Sequence, residues 1–147
     1  MSRLAIKTVS AVLGILAVFS PARAGTVLIT EQEASLPPER VAASPRAITR
    51  GPHIELVQPE TTANSPMHFQ LRFQSFGGSE INTGSLHVYY LKMPEVDITP
   101  RVARFARSIG VDIPDAEIPA GEHTIRVEVA DSEGRTRSSI FTLKIAP

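Results

Sequence analysis

IPAGEHTIRVEVADSEGRTRSSIFTLKI, residues 118–145, decides the fold. Ile125, Val127 and Val129 alternate with Thr124, Arg126 and Glu128. The polar run Asp131, Ser132, Glu133, Gly134 interrupts that alternation, and it resumes with Phe141, Leu143 and Ile145 on one face. Period-two alternation on both sides of a Gly-ended polar turn is the pattern of a half-buried antiparallel hairpin.

Similar patterns lie upstream. Met67, Phe69, Leu71 and Phe73 alternate with His68, Gln70, Arg72 and Gln74. In residues 85–93, Leu86, Val88 and Tyr90 take one face and His87, Tyr89 and Leu91 the other. Apolar residues on both faces suit a central or covered strand. Ile54 and Leu56 open the domain with a short strand closed by Pro59. Residues 99–109 read as a single helix, with Thr99 as N-cap and Pro100 in the first turn. Val102, Phe105, Ala106 and Ile109 form its apolar stripe, Arg101, Arg104 and Arg107 its opposite face, and Gly110 its C-terminal stop. Residues 111–118 read as the return to the closing hairpin. The fold class is mainly β: a two-sheet antiparallel sandwich with one short crossover helix.

Residues 1–24 read as a bacterial secretory signal peptide. Arg3 and Lys7 are followed by an apolar run over 9–19 and by Ala22, Arg23, Ala24. That run is too short for a bilayer core of about 30 Å, which takes roughly 20 residues, so no transmembrane segment is expected after cleavage. Removing Arg3, Lys7 and Arg23 from the 15 basic residues leaves 12 against 15 acidic ones. A mild acidic excess argues against nucleic acid as a partner. There is no cysteine, which excludes a disulfide framework, a thiolate metal site and a Cys nucleophile. Residues 25–50, with Pro37, Pro38 and Pro45, read as a flexible arm or linker, either a mobile tether or an arm lying along the domain surface; the alternative is that TVLIT at 26–30 adds as an edge strand to its own or another protein's sheet. Residues 51–147 are the domain.

The phrase PAGEHTIRVEVADSEGR followed by FTLKI resembles the last two strands of bacterial immunoglobulin-like domains. ITRGPHIELVQP is similar to their first strand. The chain departs from antibody domains in lacking two Cys and a core Trp. The resemblance implies an immunoglobulin-like sandwich and a binding role, with no particular chemistry.

Catalytic signatures are absent: there is no Gly-x-Ser-x-Gly elbow and no Gly-rich phosphate loop. The protein is expected to be no enzyme and to need no cofactor. The histidines are His53, His68, His87 and His123. No pair has ligand spacing, and His68 and His87 point outward from strands of different sheets. Pairing of the His87 strand with residues 123–130 puts His87 near Val129, roughly 20 Å from His123. Surface positions are expected for all four. The chain is similar in size to periplasmic sandwich copper carriers, but it lacks their N-terminal histidine after cleavage. A copper or zinc protein using His53, His87 or His123 is the alternative reading. Asp131 with Glu128 and Glu133 reads as a hairpin turn rather than a calcium site.

The leading expectation is an exported binding or assembly module of the periplasm with another envelope protein as its partner. Its candidate contact residues are His87, Tyr89 and Leu91 on an outer strand face and Arg101, Arg104 and Arg107 on the helix.

Overall fold

The computed structural model describes residues 24–41, 50–57 and 62–147. The signal-peptide reading therefore lies, but for Ala24, outside the described residues. In chain order the elements are β1 (Thr26–Val27), α1 (Glu31–Ala34), β2 (His53–Val57), β3 (Met67–Gln74) and β4 (Ile81–Tyr90). They continue with β5 (Val96–Asp97), α2 (Thr99–Ala103), β6 (Ala106–Arg107), β7 (Gly110–Glu117), β8 (Gly121–Asp131) and β9 (Thr136–Ile145).

The closing hairpin forms as its alternation dictates. β8 and β9 pair antiparallel from Gly121–Ile145 to Ala130–Thr136. Asp131 holds the turn. Its Oδ1 accepts from the backbone N–H of Glu133 and of Arg135, both at 3.0 Å, and its Oδ2 accepts from Arg135 Nε at 2.8 Å. Gly134, at φ 77°, supplies the left-handed residue of the turn. β4 joins β8 antiparallel, and β5 edges β4, so one sheet runs β5-β4-β8-β9. β4 is interior to the sheet, between β5 and β8; it ends at Tyr90, so Leu91, read as part of its second apolar face, lies beyond it.

The second sheet runs β1-β7-β3-β2, with β6 also on β7. β7 is the strand that the sequence pattern conceals. Its buried apolar side chains are Val111, Ile113 and Ala116, followed by Ile118. That spacing breaks period two. The register explains the break: Met67 faces Ala116 while Phe69 faces Ile113, so Pro114 and Asp115 stand opposite the single His68. A bulge absorbs the extra residue and accommodates a proline inside a strand. The inward faces of both sheets meet in one core, with Phe69, Leu71, Ile113, Val88, Tyr90, Ile125, Val127 and Leu143 at most 1% exposed.

Two expectations are corrected. The helix ends at Ala103, not at residue 109. Phe105 N–H already turns back to Val102 O at 2.9 Å, and Ala106 and Arg107 pair with Val111 and Gly110. A tight β6–β7 hairpin thus competes with the helix and takes its second half. Thr99 is no N-cap, because its hydroxyl serves Val88, accepting from N at 2.8 Å and donating to O at 3.3 Å. Gly110 is no helix stop. Its φ is 150°, and a Cβ there would collide with the Leu71 carbonyl, so its lack of side chain lets β7 lie against β3.

The second concerns only the mobile-tether part of the arm reading: residues 24–41 lie along the sandwich as a packed strap. Of TVLIT only Thr26 and Val27 pair as a strand, in parallel, Thr26 beside Ala116 and Val27 beside Glu117. Leu28 and Ile29 are buried in the core. Thr30 and Glu33 cap α1 reciprocally, Glu33 N–H donating to Thr30 Oγ1 at 3.2 Å and Thr30 N–H to Glu33 Oε2 at 2.9 Å. Low average hydropathy concealed two adjacent residues that both find the core. Residues 42–49 of the expected arm lie outside the described residues.

Candidate functional site

The outer face of the four-stranded sheet carries a row of stacked rings and paired charges. Register aligns Asp97, Tyr89, Arg126 and Ile140 in one row across β5, β4, β8 and β9. His87, Glu128 and Ser138 form the next row. Residues 87 and 89 share a face because a strand repeats every two residues. Their rings stack, with centroids 6.1 Å apart and planes 10° from parallel.

The Arg126 guanidinium lies 4.9 Å from the Tyr89 ring centroid. Its Nη2 meets Glu95 Oε2 at 2.9 Å. Its Nε lies 3.0 Å from Glu128 Oε1, a charge contact without an aligned hydrogen bond. The cation is thus fixed between two carboxylates over an aromatic ring, a rigid arrangement for a sheet surface. Ile140 extends the row with an apolar side chain, 39% exposed. Asp97 borders it; Thr99, by side-chain and then backbone hydrogen bonds, holds its carboxyl below the ordinary value, and the nearby His87 adds to this.

Beside this row opens a groove of about 520 Å³, lined by Glu39, Lys92, Met93, Pro94, Glu95 and Arg126. The strap forms one wall. Met93 N–H donates to Pro37 O at 2.9 Å and Glu39 N–H to Leu91 O at 3.3 Å. Met93 is 59% exposed.

Of the expected contact residues, His87 and Tyr89 belong to this face. Leu91 does not: it is buried under the strap. Arg101, Arg104 and Arg107 do not make one helical stripe, because α2 has ended before residue 104. Arg101 is consumed internally, with Nη2 on Glu33 Oε1 at 2.7 Å and Nη1 on Glu33 Oε2 at 2.8 Å and on Leu28 O at 3.0 Å. Arg104 lies over Phe105 and donates to Thr26 Oγ1 at 3.2 Å. Arg107 donates to its neighbour Ala106 O.

The histidines do not converge. His53 is exposed on β2 opposite Gln74. His68 pairs with Asp112 at 2.6 Å on the outside of the other sheet. His123, expected on the surface, is buried. Its Nδ1 lies 2.8 Å from the Tyr90 hydroxyl and its Nε2 2.7 Å from Pro119 O. Among the described residues no three metal-ligating side chains form a group.

Arg126 is the residue of this candidate face that sequence reading passed over. Only the β4–β8 register brings it onto Tyr89. His123 did carry a signal, since it precedes Ile125, Val127 and Val129 at the same period-two spacing.

No family model and no curated protein matches the chain. Among solved structures, the crystal structure of CopC from Methylosinus trichosporium OB3b is similar. It is 17% identical, with 65% of this chain and 95% of that chain covered and a TM-score of 0.41. Among the described residues no helix is long and apolar enough to cross a membrane.

Proposed function

We propose that this protein is a non-enzymatic binding module of the bacterial periplasm, and that it engages another envelope protein through the outer face of the four-stranded sheet. The observation that carries the reading is the His87–Tyr89–Arg126 stack, continued by the exposed Ile140. Tyr and Arg are enriched where proteins meet, because each buries a large rigid surface and keeps a polar handle. Here both are already ordered, which lowers the entropy lost on docking. The export signal over residues 1–24 supports the compartment, and the immunoglobulin-like resemblance supports a binding role by analogy.

The test is photo-cross-linking in living cells. A cross-linking amino acid goes at His87 or Ile140 and, as a control, at Gln70 on the opposite sheet. The expected result is a discrete adduct from the first two positions that disappears when Tyr89→Ala or Arg126→Ala is added. Adducts from Gln70 alone would put the contact on the wrong face.

A further inference from the structure

We infer that the Ala24–Gly25 bond is the processing site of this chain, and that the α-ammonium group freed there pairs with Glu117 and locks the strap onto β7. This rests on the export reading of residues 1–24 and is independent of the docking face.

Three observations meet at residue 25. The first is the sequence. Small residues at Ala22 and Ala24 close the export signal, so cleavage after Ala24 makes Gly25 the first residue. Water adds across that amide, leaving a carboxylate on Ala24 and an amine on Gly25 that is protonated at neutral pH; a signal peptidase is the catalyst.

The second is contact. Thr26 and Val27 pair with Ala116 and Glu117, which brings Gly25 to the Glu117 side chain. A Cβ at residue 25 would collide with Glu117 Oε1 and stand 2.9 Å from its Cδ. The carboxylate therefore lies on the Gly25 backbone, in space that the absent side chain leaves open. The nitrogen of residue 25 is two bonds from that Cβ, within reach of a small turn of the Glu117 side chain.

The third is charge. Glu117 is half-buried, and among the described residues no hydrogen bond or ion pair engages its carboxylate. In the unprocessed chain residue 25 offers it a neutral amide. Cleavage turns that amide into a cation, the partner a carboxylate half withdrawn from water favours. Other charges border this end of the strap. Asp115 precedes Ala116, the partner of Thr26, and Glu31 lines the same groove as Glu117. Arg104 donates to Thr26 Oγ1. The two carboxylates add to the pull on the ammonium and Arg104 opposes it. Further along, the strap is held by Glu33 on Arg101 and by Lys92 on Ala34 O and Leu36 O. The ammonium gives its first strand an anchor of the same kind, which the precursor lacks.

The experiment uses the full chain expressed with its leader and purified as the cell processes it. Intact mass should correspond to residues 25–147. The Gly25 amine, followed by ¹⁵N resonance, should titrate above the ordinary α-amino value and return to it in Glu117→Gln. At pH 7, selective Nα-acetylation should lower the melting temperature by about 3 °C, the scale of a partly exposed ion pair in a chain of this size. Glu117→Gln should do the same, and the two together no more than either alone.

Cleavage at another bond, an ordinary titration of the amine, or losses that add would each overturn the lock. Cross-links from Ile140 that persist after such a result would leave the module reading intact. A chain that stays uncleaved would overturn the lock and also remove the export support from the module.

Discussion

The pair of Tyr90 and His123 is the buried polar contact with the clearest energetic consequence. Pro119 O can only accept, so Nε2 carries the imidazole proton, and Nδ1 accepts from the Tyr90 hydroxyl. Burial pushes the Tyr90 hydroxyl up to about 12, with the charge of Glu33 adding to it, so it stays a donor. Tyr90→Phe leaves Nδ1 unsatisfied and should cost about 1–3 kcal/mol in urea unfolding. Burial also holds His123 below its ordinary 6.5; the Pro119 hydrogen bond opposes this and the Lys92 charge reinforces it. The unfolded chain therefore takes up this proton at higher pH than the folded one. The stability is present above about pH 6.5 and is lost as pH falls through the folded value. Unfolding midpoints measured between pH 7.5 and 5 should decline, and His123→Gln should flatten the decline. An unchanged slope in the variant would assign the effect to other groups. The burial of His123 was legible in its spacing from Ile125. Its partner was not, because Tyr90 is 33 positions away.

At the level of elements, the sequence spoke clearly where one face was apolar and one polar. β3, β4 and the β8–β9 hairpin follow from alternation alone. It misled where two periodicities competed. Residues 102, 105, 106 and 109 fit a helix stripe, yet Ile109 is 77% exposed, because strand pairing with β7 claims the segment. Gly110→Ala tests that arrangement. Its Cβ would meet the Leu71 backbone, which cannot step aside, so the loss should be at the severe end for a single substitution, about 3 kcal/mol or more. The strap depends on contacts no local pattern displays. Arg101, bonded to both oxygens, holds the Glu33 carboxyl down to about 2 against the opposing effect of burial. That depressed value contributes stability above about pH 4.5, lost as pH falls towards 2. Glu33→Gln should cost about 2 kcal/mol at neutral pH, the scale of hydrogen bonds to charged groups. Leu28→Ala should cost about 2–5 kcal/mol by leaving a cavity. Both are read from denaturant midpoints.

Seen whole, the sandwich divides its polar chemistry between two outward faces. His68 and Asp112 belong to one, and His87, Tyr89 and Arg126 to the other. That division was foreseeable from the assignment of His68 and His87 to different sheets. The groove was not, because it takes the strap, the turn after β4 and β8 to build it. The spread of the histidines gives a prediction for the whole chain. Its melting temperature should be unmoved by copper, zinc or calcium at concentrations where a specific site at a hundredfold excess over its dissociation constant would add about 2.7 kcal/mol. A rise of on the order of 10 °C, lost in His53→Ala, His68→Ala or His87→Ala, would make this a metal protein.

The parallel pairing of β1 with β7 also has a kinetic consequence. Thr26 and Ala116 are partners across 90 positions of chain. Contacts so distant close late, because a long loop loses its freedom before any of them repays it. The local hairpins should therefore nucleate folding, and the strap should dock onto a body already assembled. Until it does, the apolar residues it covers stand open to water and to other chains. In the native state the order runs backwards. Amide hydrogen exchange at Leu28, whose N–H donates to Glu117 O at the end of β7, should outpace that of Val127 in the hairpin, giving the molecule a seam that opens well before it unfolds.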